Sequence, residues 1–275
     1  MSPARSEGEG RIQRALAAAR SDGRIAFIAY ITAGYPDVDA TPEIVDALVA
    51  GGVDVIELGI PFSDPMADGA TIQRSTLRAL KAGMTARGCL ELIERMRNRG
   101  VEIPFVLMTY YNPILAYGRD GFISDAVAAG TDGLIAVDVP AEEAGELAAR
   151  CRASRLDFIP LLAPTSTDER VARAVRQASG FVYCVSVAGV TGARQTLPPQ
   201  VGELLERVRR HTDLPLAVGF GISKREHVEA LHGQADAAIV GSAILDVIEA
   251  SPRTEREAKV REYVEVLTGQ PRASV

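Results

Sequence analysis

The stretch Glu57-Leu58-Gly59-Ile60-Pro61-Phe62-Ser63-Asp64-Pro65-Met66-Ala67-Asp68 follows the apolar run Val53-Asp54-Val55-Ile56. That run reads as a buried strand. Glu57 therefore stands at a strand end, against a core that does not tolerate an unpaired charge. Asp68 comes eleven residues later, across a loop punctuated by Pro61, Pro65 and Gly69. One carboxylate on a stiff strand and one on a loop would share a rim. Two carboxyl groups in unlike surroundings are a common way to run acid and base chemistry near neutral pH. The plain alternative is a solvated loop whose acids serve solubility, and the rest of the chain weighs against it.

Working outward, short apolar runs recur between longer amphipathic ones. The strand candidates are Ile25–Ile31, Val53–Leu58, Pro104–Thr109, Gly133–Val137, Asp157–Leu162, Phe181–Val185, Leu216–Gly219 and Ala237–Val240. Helical patterns follow them at Pro42–Val49, Ala70–Ala82, Phe122–Ala129, Glu142–Ala153, Asp168–Ser179, Leu204–His211, Lys224–Leu231 and Ser242–Ala250. Near-continuous runs rich in Val, Ile and Ala are the mark of parallel strands covered on both faces. Eight β/α units in 275 residues predict an α/β protein built as a closed (β/α)8 TIM barrel. A doubly wound open sheet is the alternative, but no GxGxxG follows the first strand, which counts against dinucleotide binding. Arg11–Ser21 and Ala86–Arg99 read as extra helices, the former as an N-terminal addition to the barrel. Ser223 and Glu226 have capping-box spacing, which predicts a helix start directly after Gly221. Residues 1–275 read as one barrel domain, with flexible tails over about 1–10 and 270–275.

A hydrophobic content of 47% supports one large core, and a net charge of −6 argues against nucleic acid or a membrane surface as the main partner. The three cysteines, Cys89, Cys151 and Cys184, are widely spaced in apolar stretches with no CxxC. Neither a disulfide frame nor a zinc site is expected, and a reducing, cytoplasmic compartment fits. No apolar run is long enough to span a bilayer, and the polar N-terminus does not read as a signal peptide.

In such barrels chemistry lies at the C-terminal ends of the strands. No histidine falls there: His211, His227 and His232 lie in or beside helices, so a histidine metal cluster is not expected. Three glycine clusters do fall there: Val190-Thr191-Gly192, Gly219-Phe220-Gly221 and Gly241-Ser242. Glycine lets backbone N–H groups approach an oxyanion, and loops after the last strands of a barrel often hold a phosphate beside a helix N-terminus. Ordinary tight turns are the plain reading of any one cluster, and three at adjacent strand ends favour a phosphate cradle. Tyr30 and Tyr183 read as barrel-wall aromatics or as pocket lining. Asp138 reads as a substrate ligand or a cap for the next helix. Phe220, between two glycines, suits the floor of an apolar ligand site. Met108 reads as core filler.

These residues converge on a known family. From about Arg24 to Glu249 the chain resembles the tryptophan synthase α subunit. Glu57–Gln73 (ELGIPFSDPMADGATIQ) is similar to that family's signature nearly residue for residue. GVTGA (Gly189–Ala193), GFGIS (Gly219–Ser223) and VGSAI (Val240–Ile244) match its phosphate loops, and Tyr30 and Tyr183 stand where it places aromatics. Val187 departs from the arginine some members carry there. The resemblance implies cleavage of indole-3-glycerol phosphate to indole and glyceraldehyde 3-phosphate. It also implies a β-subunit partner that receives indole in an α2β2 complex. Cleavage needs indole C3 protonated and the side-chain hydroxyl deprotonated, which makes Glu57 the shuttling general acid/base. Asp68 would stay ionised, accept the indole N–H and stabilise charge on the ring. Phe220, Ile72, Met108 and Ile135 would hold indole, with Tyr183 orienting the carboxylates. Thr191, Gly192, Gly219, Gly221, Gly241 and Ser242 would hold the phosphate. Neither metal nor organic cofactor is needed, because the ring stabilises its own departure. Three alternatives stay open: another phosphate-binding barrel enzyme, a free-standing lyase, and a regulatory subunit with weak activity alone.

Overall fold

In the computed structural model, residues 10–185, 198–219 and 221–269 are described. Nine parallel strand segments alternate with helices: β1 (Ala26–Thr32), β2 (Val55–Gly59), β3 (Phe105–Thr109), β4 (Gly133–Ala136), β5 (Asp157–Phe158), β6 (Leu161–Leu162), β7 (Val182–Val185), β8 (Leu216–Gly219) and β9 (Ala237–Val240). Their order is β5-β4-β3-β2-β1-β9-β8-β7-β6. The two ends of that order are halves of one strand, joined through Ile159 and Pro160. Proline lacks the N–H that a continuous ladder uses, so the expected single run over 157–162 is split. The join still bonds both neighbours. Ile159 N–H donates to the Leu134 carbonyl at 3.0 Å, and Tyr183 N–H donates to the Pro160 carbonyl at 3.1 Å. The ring closes there, giving the (β/α)8 barrel.

Period-2 alternation sorts each strand into an outer and an inner face. Outward residues such as Phe27, Leu58 and Leu107 pack under the helices. Inward residues Ile28, Val55, Val106, Ile135, Phe181, Ala217 and Ile239 fill the barrel. The extra N-terminal helix, Arg11–Ser21, sends Ile12, Leu16 and Ala19 into that inner cluster.

One device recurs where strands begin. Asp54 donates its N–H to the Phe27 carbonyl at 2.9 Å and accepts the Phe27 N–H on its carboxylate at 2.7 Å. Asp132 does the same with Phe105, at 2.8 and 2.9 Å, and Asp236 with Leu216, at 2.9 and 2.8 Å. Each carboxylate also takes a guanidinium: Arg24 on Asp54 at 2.7 Å, Arg97 on Asp132 at 2.7 Å and Arg209 on Asp236 at 2.6 Å. Neighbouring strands are thereby clipped into register at the end of the barrel away from the rim.

Several expectations are corrected. Helices Tyr111–Tyr117 and Arg256–Thr268 are additional to those read from the sequence. The helix after β8 is Arg225–Glu229, not a start directly after Gly221, and it has no side-chain cap. Ser223 instead donates its N–H to His227 Nδ1 at 3.2 Å, so the Ser223/Glu226 capping box does not form. Among the described residues, no helix is long and apolar enough to cross a membrane.

Candidate active site

The same alternation that fills the barrel builds the site. Continuing upward on the inner face, Ile28 leads to Tyr30, Val55 to Glu57, Val106 to Met108 and Tyr110, Phe181 to Tyr183, and Ile239 to Gly241. A cavity of about 390 Å³ opens above the core, lined by Tyr30, Glu57, Ile72, Met108, Tyr183, Gly219, Gly221, Gly241 and Ser242, together with Ile222, Ser223 and Asp246. A narrow cleft sharing Tyr30 and Met108 holds Asp68, Phe62 and Tyr110. A larger cavity of about 650 Å³ lies at the opposite end of the barrel. Its Arg24, Arg209 and Arg210 are already paired with Asp54, Asp236 and Asp168.

Glu57 sits mid-strand in β2, beside Tyr30 in the β1 register, rather than at the strand's last residue. Its side chain is 1% exposed, and neither carboxylate oxygen has a hydrogen-bond partner among the described residues. Burial, reinforced by the charge of Asp68, raises it to about 8. It is therefore protonated at neutral pH, the state a general acid requires. Asp68 is half-buried on the loop after β2. Burial lifts it to about 6, opposed by a hydrogen bond from the Tyr110 hydroxyl. At neutral pH one acid is protonated and its neighbour ionised, a division set by depth of burial.

Ser242 opens the helix Ser242–Ala250 behind Gly241. The Leu245 N–H donates to the Gly241 carbonyl at 3.0 Å, so the amides of Ser242 and Ala243 lie ahead of the intrahelical ladder, and both residues line the cavity. Together with the helix dipole they suit an anion. The glycines stand there for different reasons. Gly221 has φ +78° and open space where a Cβ would stand. On Gly241 a Cβ would come within 3.2 Å of the Tyr30 side chain.

Two placements differ from expectation. Ile135 is fully buried in the inner cluster and lines neither cavity. Val137, one alternation further along the same face, reaches the cleft instead. Asp138 caps neither the following helix nor a cavity wall: its carboxylate accepts the Tyr111 N–H at 2.7 Å, at the start of Tyr111–Tyr117. Thr191, Gly192, Phe220 and Val187 lie outside the described residues. Sequence reasoning missed Tyr110 and Asp246. Tyr110's inward parity with Met108 was a usable signal. Asp246, an acid beside an anion cradle, gave none, and it is offset by Thr71 at 3.3 Å and Arg74 at 3.6 Å. Among the described residues no group of three or more His, Cys, Asp or Glu is placed to hold a metal.

The profile of the family described as tryptophan synthase alpha chain matches residues 16–272, beyond both ends of the span read from motifs. The tryptophan synthase alpha chain of Roseiflexus castenholzii is 50% identical, covering 94% of this chain and 99% of its own. That of Chloroflexus aggregans is 49% identical over 94% and 96%. A structure of Mycobacterium tuberculosis tryptophan synthase superposes with TM-score 0.86 at 40% identity, covering 94% of this chain and 97% of that one. The alpha chain of Legionella pneumophila does so with TM-score 0.86 at 33% identity, over 95% and 97%. The chain thus belongs to the tryptophan synthase alpha chain family.

Proposed function

We propose that Glu57 and Asp68 carry out the reaction for which this family is known, the lyase cleavage of indole-3-glycerol phosphate in tryptophan biosynthesis. The observation that carries the assignment is the buried, unbonded Glu57 carboxyl in the same cavity as Gly241, Ser242 and Ala243 at the start of a helix. Protonated Glu57 delivers its proton to indole C3, which turns the ring into an electron acceptor. The resulting carboxylate then takes the proton of the side-chain hydroxyl as the carbon–carbon bond breaks. Ionised Asp68 accepts the indole N–H and balances the positive charge that grows on the ring. Tyr30, Ile72, Met108 and Tyr183 flank the indole. Gly219, Gly221, Gly241 and Ser242 receive the phosphate, and the reading extends this cradle to Thr191 and Gly192, with Phe220 on the indole. The proton leaves and returns through one residue, so the cycle closes without a cofactor.

The designation alpha chain among relatives supports a β-chain partner that takes the indole, in an α2β2 assembly. Met66 at the tip of the Asp68 loop is 90% exposed, a surface such a partner would cover. Cytoplasmic placement and a single barrel domain belong to the same proposal. In steady-state assays, Glu57→Gln should lower indole formation by about 100- to 10,000-fold while glycerol phosphate still binds. Near-normal turnover in the folded variant would overturn the assignment.

A further inference from the structure

One side chain fastens both ends of the loop that carries Asp68. Tyr110 follows β3, and its hydroxyl oxygen accepts the Ala67 N–H at 2.9 Å. The same hydroxyl lies on the side of the Asp68 carboxyl and counters the effect of burial on it. Its ring packs against Phe62 with centroids 5.2 Å apart and a 34° tilt. Phe62, near the start of the loop, and Ala67 and Asp68, at its end, are therefore held by a single side chain from the neighbouring strand. The base of that side chain is itself anchored. Tyr111 N–H is bonded to Asp138 at 2.7 Å, and Ile60 N–H donates to the Met108 carbonyl at 2.9 Å, tying the exits of β2 and β3 together.

The bonding is directional. A hydroxyl has one hydrogen and two lone pairs. With the Ala67 N–H on a lone pair, the hydrogen is left for the carboxylate side, where accepting one bond strengthens the donation of another. Such an arrangement binds a charged carboxylate better than a protonated one.

We propose that Tyr110 is a positioning residue for the cleavage, holding the loop that carries Asp68 at its working place through its bond to Ala67 and its contact with Phe62. The proposal rests on the assignment of Asp68 above. The groups facing Asp68 are Glu57 from β2, Tyr30 from β1, Tyr183 from β7 and Tyr110 itself. Asp138 acts on Tyr110 from beyond β4. Of these, the Tyr110 hydroxyl is the one that draws the Asp68 proton off, against the effect of burial.

The test is Tyr110→Phe, which keeps the ring against Phe62 and removes the hydroxyl. It is assayed for indole-3-glycerol phosphate cleavage in the complex with the β chain, beside Asp68→Asn. Tyr110→Phe should lower kcat/KM about ten- to a hundredfold, the size of one hydrogen bond to a charged group. The acid limb of its pH profile should move to higher pH, glycerol phosphate binding should be unchanged, and the Ala67 amide should exchange faster with deuterium. If Asp68→Asn keeps its turnover, the assignment of Asp68 fails, and this proposal with it. If Asp68→Asn is inactive while Tyr110→Phe leaves the acid limb in place, the proposal is overturned, whatever happens to the rate. Unchanged Ala67 exchange overturns it independently of any assay.

Discussion

Tyr183 lies across Gly219 so closely that a methyl group there would sit 2.8 Å from its hydroxyl and 3.0 Å from its ring. Tyr30 lies across Gly59 in the same way, with its ring at 2.8 Å from such a methyl. In both cases the glycine stands two residues beyond the tyrosine's register partner on the next strand: Glu57 for Tyr30 and Ala217 for Tyr183. Gly219, read from sequence as part of a phosphate cradle, is thus also the space into which Tyr183 leans. Gly219→Ala is expected to destabilise the fold by about 1–3 kcal/mol, the usual cost of overpacking. In a Tyr183→Phe background the cost should shrink without vanishing, because the ring contact persists. Urea midpoints for the double-mutant cycle check this.

The two carboxyl groups predict a bell-shaped dependence of kcat/KM on pH. Activity should rise as Asp68 ionises near pH 6 and fall as Glu57 loses its proton near pH 8. In Asp68→Asn the residual activity should lack the acid limb and keep the alkaline one. Rate–pH profiles of the free enzyme with subsaturating substrate measure both.

Glu57 also couples pH to stability. Its ordinary value is 4.5, and the folded state raises it to about 8. The folded chain therefore keeps a proton that the unfolded chain releases, so stability is whole below pH 4.5 and is lost progressively as pH rises toward 8. Glu57→Gln removes this loss. The variant should match the wild type at pH 4, gain on the order of 3 kcal/mol by pH 7 and level off above pH 8. Denaturant titrations across that range test the sign. A variant that abolishes chemistry while strengthening the fold is the expected signature of a functional buried acid.

Asp132 joins two strand starts and pairs with Arg97, whose side chain is 11% exposed. Asp132→Ala should cost roughly 3–5 kcal/mol, because it leaves the buried Arg97 charge without its carboxylate, though still bonded to backbone carbonyls, and the Phe105 N–H without its acceptor. Asp132→Asn, which keeps an acceptor for Phe105, should cost less. Thermal unfolding of the pair distinguishes them.

The alternation of apolar runs made the barrel legible, and the lone acid in Val55-Ile56-Glu57 made its active end legible, because both are one-dimensional patterns. What escaped depends on partners distant in the chain. Tyr110 reads as one more strand-end aromatic until Ala67 and Asp68 meet its hydroxyl 43 residues away. Ile135 and Val137 have equal claims on a pocket until the depth of the inner layers is known. The clips at Asp54, Asp132 and Asp236 share only an aspartate before an apolar run. Their common role shows once Phe27, Phe105 and Leu216 lie beside them. Helix Arg256–Thr268 was readable in principle, since Val260, Val264 and Leu267 keep helical spacing and are buried. Its dense charges hid that stripe.

The first helix makes the barrel a cup rather than a pipe. Among the described residues, Ile12, Leu16 and Ala19 stopper the base, and Val55, Val106 and Phe181 pack above them to fill the floor. Everything that enters the site and everything that leaves it crosses the same lip, past Tyr30, Tyr183 and the loop that Tyr110 holds. A fragment as apolar as indole, released into such a vessel, has its exit decided by whatever covers the mouth. A protein meant to collect it has only one end of this molecule to which it can usefully dock.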